Sequence, residues 1–448
     1  MSEKVGVLQS DTPPKKEHVK VVITAVLGNT LEWYDFFLYG TAAALVFNKL
    51  FFPELSPLVG TVAAFATFAV GFLARPVGGI LFGHFGDRIG RKQMLYLALV
   101  VMGIGTTVIG LLPTFGTIGI WAPIVLVTCR VVQGLGLGGS WGGAVLMAVE
   151  YAPENKRGFY GALVQLGVPL GLVLGTLVFG FFARLPEQQF LSWGWRIPFL
   201  FSVLLVVVAI FILVKISETP VFEKIKVAHK EARIPIIEAI IKHPKNLLLA
   251  MGVRFAENGL FYIYAAFVFA YATNILKISR ATILDAVTIA AFVEAVTIPL
   301  FGILSDKIGR RPVYMFGAVF SGLWSFPFFW IIGYGGLWAV TLGVAVGLGI
   351  GHAAMYAPQA SFLSEMFSAR VRYSGASLGY QLASIFAGAL TPLVATSLLA
   401  WYSRAYWPIG IYMMILALIT VVSLYLAAET YKQSFEETYD EVVVPKKA

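Results

Sequence analysis

Cysteine and charge are what this sequence of 448 residues has least of: one cysteine, Cys129, and 13% Asp, Glu, Lys and Arg together. A single cysteine excludes a disulfide-stapled secreted scaffold and a thiolate metal cluster. Thirteen per cent charge could not solvate the surfaces of the two or three soluble domains that the length would suggest, nor keep the chain disordered. Histidine is scarce as well, at five, and there is no H-E-x-x-H pair, Walker loop or Cys/His cluster. Enzyme chemistry, ATP-driven pumping, a bound metal and a cofactor are therefore not expected. What is abundant is apolar surface: 58% of residues are hydrophobic, and the mean hydropathy is +0.81. The composition is that of a polytopic all-α membrane protein embedded in a lipid bilayer.

A spanning helix needs about 20 mostly apolar residues. Twelve such stretches run along the chain, near 20–47, 58–84, 94–112, 118–149, 158–183, 196–214, 246–275, 281–305, 312–333, 336–363, 374–400 and 405–428. Transmembrane β-strands would be about ten residues long and strictly alternating, which these are not. The polar start, with Pro13-Pro14-Lys15-Lys16, reads as a cytoplasmic segment and not as a cleavable signal peptide.

The net charge of +9 would suit nucleic acid, but its placement explains it otherwise. One side of the predicted topology collects Lys4, Lys15, Lys16, Lys20, Arg88, Arg91, Lys92, Lys156, Arg157, the basic residues of a long central loop, Lys307, Arg310, Arg311, Arg370 and Arg372. The other side has only Lys49, Arg184, Arg196, Lys277, Arg280 and Arg404. By the positive-inside rule both termini face the cytoplasm, the protein is a multi-pass component of the cell (inner or plasma) membrane, and no nucleic-acid partner is implied.

The chain also repeats itself. Gly83-His84-Phe85-Gly86-Asp87-Arg88-Ile89-Gly90-Arg91-Lys92 follows the second span, and Gly302-Ile303-Leu304-Ser305-Asp306-Lys307-Ile308-Gly309-Arg310-Arg311 follows the eighth. Glu150 with Arg157 after the fourth span is echoed by Glu365 with Arg372 after the tenth, at equal spacing. The expected organisation is a cytoplasmic segment (1–19), a six-helix half (20–214), a cytoplasmic linker (215–245), a second six-helix half (246–428) and a cytoplasmic tail (429–448), acting as a monomer. Parallel halves of this kind place a substrate site between them at mid-membrane depth.

The doubled G-x-x-x-D-[RK]-x-G-R-[KR] segment resembles the cytoplasmic loop signature of the major facilitator superfamily. Gly28-Asn29-Thr30-Leu31-Glu32-Trp33-Tyr34-Asp35-Phe36, Arg130-x-x-Gln133-Gly134, Ser217-Glu218-Thr219-Pro220-Val221-Phe222, Arg254-x-x-Glu257 and the run from Val371 to Gln381 are similar to the metabolite:proton symporter family within it. The resemblance covers nearly the whole chain. It implies alternating-access symport of protons with a small carboxylate, a hydroxylated acid or a betaine, a shikimate-like acid being the most specific expectation. 2-Oxoglutarate, citrate, proline or betaine and aromatic acids remain open, and so does proton-driven efflux. The resemblance further implies that Asp87, Arg88, Gly90, Arg91 and Glu150, and in the other half Asp306, Gly309, Arg310, Glu365 and Arg372, hold an inner gate shut.

The residues themselves add candidates. A charge at the bilayer centre costs about 2.5–3.5 kcal/mol on insertion scales, so the buried ones should be functional or paired. Glu32 and Asp35 lie one turn apart on one helix face and form the leading proton-coupling pair, with Glu294 a third. Arg130, mid-depth in span four, has a planar fork suited to a carboxylate, unless it pairs with Glu32 or Asp35 instead. Gln133 follows it on the same face. Arg254, Glu257 and Asn258 would supply a second anchor from span seven, or merely a self-neutralising pair. His352 titrates near neutrality when unperturbed but could equally be a hydrogen-bonded structural residue. Tyr39 could line the cavity. Arg75 is expected to be structural or gating.

Overall fold

In the computed structural model, the described residues are 15–89, 91–138, 152–204, 240–367 and 372–432, with isolated positions 141, 145, 148, 149, 206 and 207. They form a helical bundle with no strand among the described residues. In chain order the long helices begin with α1 (Lys15–Ala42, continued to Leu50), α2 (Pro57–Ile89) and α3 (Arg91–Leu111). Next come α4 (Trp121–Gly138), α5 (Glu154–Ala183) and α6, which opens with Arg196–Leu200. The second series is α7 (Pro244–Tyr262, continued to Asn274), α8 (Arg280–Ile308), α9 (Arg310–Gly333), α10 (Gly336–Glu365), α11 (Arg372–Ala383, continued to Trp401) and α12 (Trp407–Leu426).

Eight of these helices, α2, α4, α5 and α8 to α12, are long and apolar enough to cross a membrane by length and composition alone. Tyr96–Leu111 of α3, the part whose side chains are described, is apolar as well. α1 and α7 carry the buried charges, Glu32 and Asp35 in one, Arg254 and Glu257 in the other, and these dilute their hydropathy. The same two helices widen at corresponding places: a π-helical turn runs from Ala43 to Phe47 in α1 and from Ile263 to Phe267 in α7. Such turns are commonly found at functional sites. The repeat read in the loops is thus also visible in the backbone.

Small residues set how closely the helices approach, since in lipid association depends on van der Waals fit. Any Cβ at Gly134 would collide with the Gly71 carbonyl oxygen, and one at Gly138 with that of Arg75, so α2 and α4 lie backbone against backbone. Gly167 and Gly171 likewise let α5 lie against Asn29, Thr30 and Trp33 of α1, where Asn29 Nδ2 donates to the Val164 carbonyl at 2.9 Å. Pro76, Pro299, Pro327 and Pro358 sit inside helices; neighbouring helices make such breaks tolerable in a bundle. The α1–α6 and α7–α12 sets meet through α5 with α8 and α10, through α2 with α11, and through the aromatic faces of α1 and α7.

Candidate functional site

The centre of the bundle is built around buried arginines. Arg130 of α4 is 1% exposed, and its Nη1 donates to Gln133 Oε1 at 3.1 Å on the same helix. Its guanidinium carbon lies 4.4 Å from the ring centroids of Phe36 and Tyr39 and 4.7 Å from that of Phe68. Cation–π contact and a neutral amide therefore hold this charge in place. Among the described residues it forms no ion pair, with Glu32 or Asp35 or otherwise, and its Nη2 has no hydrogen-bond partner. Tyr39 serves Arg130 with its ring alone, because its hydroxyl donates to Thr67 Oγ1 at 2.7 Å.

Gln133 connects the arginine to the acidic face of α1. Its Nε2 donates to Thr106 Oγ1 of α3 at 2.5 Å, and Thr106 also faces the Asp35 carboxyl. Asp35 is fully buried and accepts from Ser202 Oγ at 2.5 Å. Glu32, one turn earlier, is buried too. The two carboxyls and Arg130 thus occupy one interior, as their spacing suggested, but hydroxyls and an amide separate Arg130 from Asp35. Arg75 is 2% exposed, 5.3 Å from the Phe72 ring centroid and near those of Trp33 and Phe36. It stands closer to this group than its position in span two suggested.

The facing helices handle their charge differently. Arg254 of α7 donates through Nε to Glu257 Oε2 at 3.0 Å and through Nη1 to the Tyr380 carbonyl at 2.6 Å and Ser384 Oγ at 2.8 Å. Glu257 also accepts from Gln359 Nε2 at 2.7 Å, and that amide reaches the Tyr314 hydroxyl at 2.9 Å. The other Glu257 oxygen, Oε1, faces His352 Nε2 at 3.4 Å. His352 Nδ1 in turn bonds Glu294 Oε1. All four ionisable groups are 2% exposed or less. The structure therefore joins the Arg254–Glu257 pair to His352 and Glu294, which the sequence could weigh only separately.

Between the two clusters lies Tyr262, whose ring packs on Phe72 (5.4 Å), Phe68 (5.8 Å) and Phe36 (6.1 Å) and which lies among the charges of Arg75, Arg130 and Arg254. Its hydroxyl, Asn258 Oδ1, Gln381 Oε1 and Arg254 Nη2 have no hydrogen-bond partner among the described residues. Buried polar groups are normally satisfied, so donors and acceptors left over here make this place a candidate for binding a polar ligand. A stack borders these groups on one side: Trp141 lies on Tyr380 at 3.7 Å, and the Arg254 guanidinium lies 3.4 Å from the centroid of the same Tyr380 ring.

Both rims are shut. At the end carrying the repeated signature, Asp306 accepts from the Gly158 and Phe159 amides of α5 at 2.8 and 2.9 Å and pairs with Arg310 at 2.7 Å. Arg310 also reaches Glu365 at 3.5 Å. Gly309 joins α8 to α9 at φ 107°, a conformation that side chains with a Cβ rarely adopt. Gly90 and Glu150 lie outside the described residues, as do the side chains of Asp87, Arg88, Arg91 and Arg372. At the opposite rim Arg184 grips Asp285 with 2.6 and 2.8 Å bonds, and Arg280 donates to the carbonyls of Ala183 and Leu185.

Several participants escaped the sequence reading. Ser202, Thr106, Gln359, Tyr314 and Ser384 are neutral and carry no motif. Arg184 and Arg280 were read as topology markers, and only Asp285, polar at the start of an otherwise apolar span, hinted at their partner. Glu429 and Thr430 open the segment expected to be a cytoplasmic tail. Glu429 accepts from the Arg310 and Arg311 amides at 3.1 and 3.0 Å, and Thr430 donates to Glu365 at 2.6 Å.

A multi-helix bundle with charged groups sealed between two helix sets is the architecture of a membrane carrier. A family model described as "Sugar (and other) transporter" matches residues 21–246, and one described as "Major Facilitator Superfamily" matches residues 254–445. The chain belongs to the major facilitator superfamily; it is a polytopic membrane transporter and not an enzyme. It is similar to the shikimate transporter of Escherichia coli K12, with 43% identity over 417 residues that cover 92% of this chain and 95% of that one. An inner membrane metabolite transport protein of the same strain is 38% identical over 434 residues, covering 95% and 98%. Among solved structures, the xylose transporter XylE from E. coli, partially occluded and inward open, matches with a TM-score of 0.71 at 18% identity, covering 94% and 100%. That likeness establishes the twelve-helix major facilitator fold expected from the sequence.

Proposed function

We propose that the chain is a proton-coupled symporter that imports a small organic acid, a shikimate-like hydroxylated carboxylate in the first instance, by alternating access. The observation that carries this reading is the pair of buried arginines, Arg130 and Arg254, each with Nη2 lacking a partner among the described residues, on either side of an interface closed at both rims. A guanidinium edge suits a carboxylate, and a bonded pair there would offset the burial of both charges. Tyr262, Asn258 and Gln381 supply the donor and acceptors that hydroxyl groups on the substrate need. The similarity to a shikimate transporter points the same way.

In the proposed cycle the substrate carboxylate is taken by Arg130 from the open outer side, with Gln133 and Tyr39 holding that guanidinium. Arg254 and Asn258 engage the substrate as the halves 20–214 and 246–428 close over it. Asp35, Glu32 and Glu294 are the proton-carrying candidates. Rocking breaks the Asp306–Arg310–Glu365 contacts at the cytoplasmic rim and remakes those of Arg184 and Asp285 outside. The proposed setting is a monomer in the inner or plasma membrane, with both termini cytoplasmic.

The test is uptake by proteoliposomes of labelled shikimate, 2-oxoglutarate, citrate, proline betaine and benzoate under imposed pH gradients. Accumulation of a hydroxylated monocarboxylate driven by inward proton flow is expected. Extrusion against that flow, or transport indifferent to the gradient, would overturn the reading.

A further inference from the structure

Resting on that reading, and sharpening it, we infer that the coupling proton is held by the His352–Glu294 couple and that Glu257 makes its presence felt at Arg254, so that one side chain links proton occupancy to anion occupancy. The inference stands on connectivity. Both ring nitrogens of His352 face carboxylates: Nδ1 bonds Glu294 Oε1, and Nε2 faces Glu257 Oε1 at 3.4 Å. A neutral imidazole has one N–H and could serve only one of them; an imidazolium serves both. Glu257 divides its oxygens in the same way, with Oε1 toward His352 and Oε2 bonded to Arg254 Nε at 3.0 Å and to Gln359. The chain Arg254–Glu257–His352–Glu294 therefore alternates positive and negative groups when the ring is protonated. It then has no net charge, and it is left with an unbalanced buried negative charge when the ring is not.

Glu257 is the point of linkage. With His352 protonated, the Glu257 charge is shared between imidazolium and guanidinium, and Arg254 has charge to offer a substrate carboxylate through its partnerless Nη2. Once the proton has left for water on the inner side, Glu257 falls to Arg254 alone and its attraction for a second anion drops. Proton arrival protonates a ring nitrogen and release deprotonates it; no other bond is made or broken. The remaining groups that face the couple do not compete for this role. Tyr314 from α9, Tyr356 from α10 itself and Tyr380 from α11 are phenols, and α5 contributes the neutral Gln165, whose amide reaches the Tyr356 carbonyl. Phe261 and Tyr356 flank the ring at 4.7 and 4.9 Å, which fixes its plane between the carboxylates.

The experiment compares two modes of the reconstituted full-length chain, wild type against Glu294→Gln and His352→Gln. One mode is accumulation of labelled shikimate driven by a pH gradient; the other is exchange of labelled for unlabelled shikimate at equal pH, which needs no net proton movement. Glu294→Gln is expected to lose accumulation by about tenfold or more while exchange falls by less than about threefold, whereas His352→Gln, which leaves the Glu257 charge to Arg254 alone, should lose exchange as well. Asp35→Asn serves as the comparison. Wild-type accumulation in Glu294→Gln, or equal loss of accumulation and exchange in that variant, overturns the inference. Infrared difference spectra of the solubilised protein between acid and alkaline pH decide it independently of substrate. A titrating imidazole band present in the wild type should vanish in His352→Gln, and a wild-type spectrum that this substitution leaves unchanged overturns the inference even for a well-folded variant. If wild-type protein moves none of the acids, the reading of function fails, while the spectra still settle where the proton sits.

Discussion

Arg130 and Arg254 are two answers to one problem, a guanidinium taken out of water in the middle of a bundle. Arg130 is held by neutral partners: the Gln133 amide and the faces of Phe36, Tyr39 and Phe68. Arg254 is neutralised by Glu257 and steadied by the Tyr380 carbonyl and Ser384. The difference teaches how work divides across the interface. A cation held only by dipoles and rings retains its appetite for an anion, at a standing cost to the protein. A cation with its own carboxylate is cheap to bury, and its attraction for a further anion depends on what else that carboxylate is asked to neutralise. The first arrangement makes a binding group, the second a group whose binding can be adjusted.

The sharpest way to break this comparison is to remove each charge and read stability and transport together. Arg130→Ala should lower uptake of labelled shikimate by about thirtyfold or more, since truncating a desolvated ion contact costs about 2–5 kcal/mol of binding. It should leave the Tm of the detergent-solubilised protein nearly unchanged, because no carboxylate partner is stranded among the described residues. Arg130→Lys keeps the charge without the planar fork and should recover only part of the uptake. Glu257→Gln should instead cost stability. It strands Arg254 and takes one carboxylate from His352, and breaking a buried pair costs about 3–5 kcal/mol, so Tm should fall well below that of Arg130→Ala. Equal Tm values for the two variants would remove the distinction.

The same contrast shows which features could be read in the sequence. Twelve apolar stretches, the doubled loop signature and the mid-span charges were all visible, because hydropathy and repetition are properties of neighbours along the chain. Arg130 with Gln133 could be paired on paper, being one turn apart on one helix. So could Arg254 with Glu257. The rest depends on partners that meet only after folding. Arg254 meets the Tyr380 carbonyl across 126 positions, and Glu257 meets Gln359 across 102. His352 carried no local sign of being flanked by carboxylates from two other helices. Hydroxyls such as Ser202 and Thr106 are common in apolar helices and bond their own backbone as readily as a distant carboxylate, so nothing in their spacing sets them apart. Glu429 looked like solvated tail because capping the start of α9 requires the chain end to fold back after α12.

A second pair of regions, the two rims, allows a finer test. At the signature end Asp306 is half-buried and caps two α5 amides while pairing with Arg310. A carboxylate on backbone amides at a helix start is favoured by hydrogen bonding and by the helix dipole together. Asp306→Asn keeps the shape, loses the charge and should destabilise the closed rim by about 1–2 kcal/mol. That is read as faster labelling of a cysteine placed at Gly161, where α5 meets Ala360 of α10.

The opposite rim should respond less. Arg184 and Asp285 bridge α5 and α8 with good geometry, but their side chains are 52% and 41% exposed, and exposed pairs contribute about 0–1 kcal/mol. Arg184→Ala should therefore raise outside labelling of a Thr288→Cys reporter, which lies beside Thr176 one helical step inward, by no more than about threefold. Lys49 and Glu187 at the same rim provide a comparison, since their ion pair lies within the α1–α6 set and only the Arg280 charge of α8 reaches Glu187 from across the interface. The Lys49 ammonium holds the Glu187 carboxyl below its ordinary value. A lowered carboxylate contributes stability above its unfolded pKa and loses it as pH falls through the folded one. Acidification below the ordinary carboxylate range should thus cost this pair its small contribution, in Tm and not in Thr288→Cys labelling. Labelling that rose with acid in a Glu187-dependent way would mean that the outer rim closes through its own side of the molecule as well as through the bridge to α8.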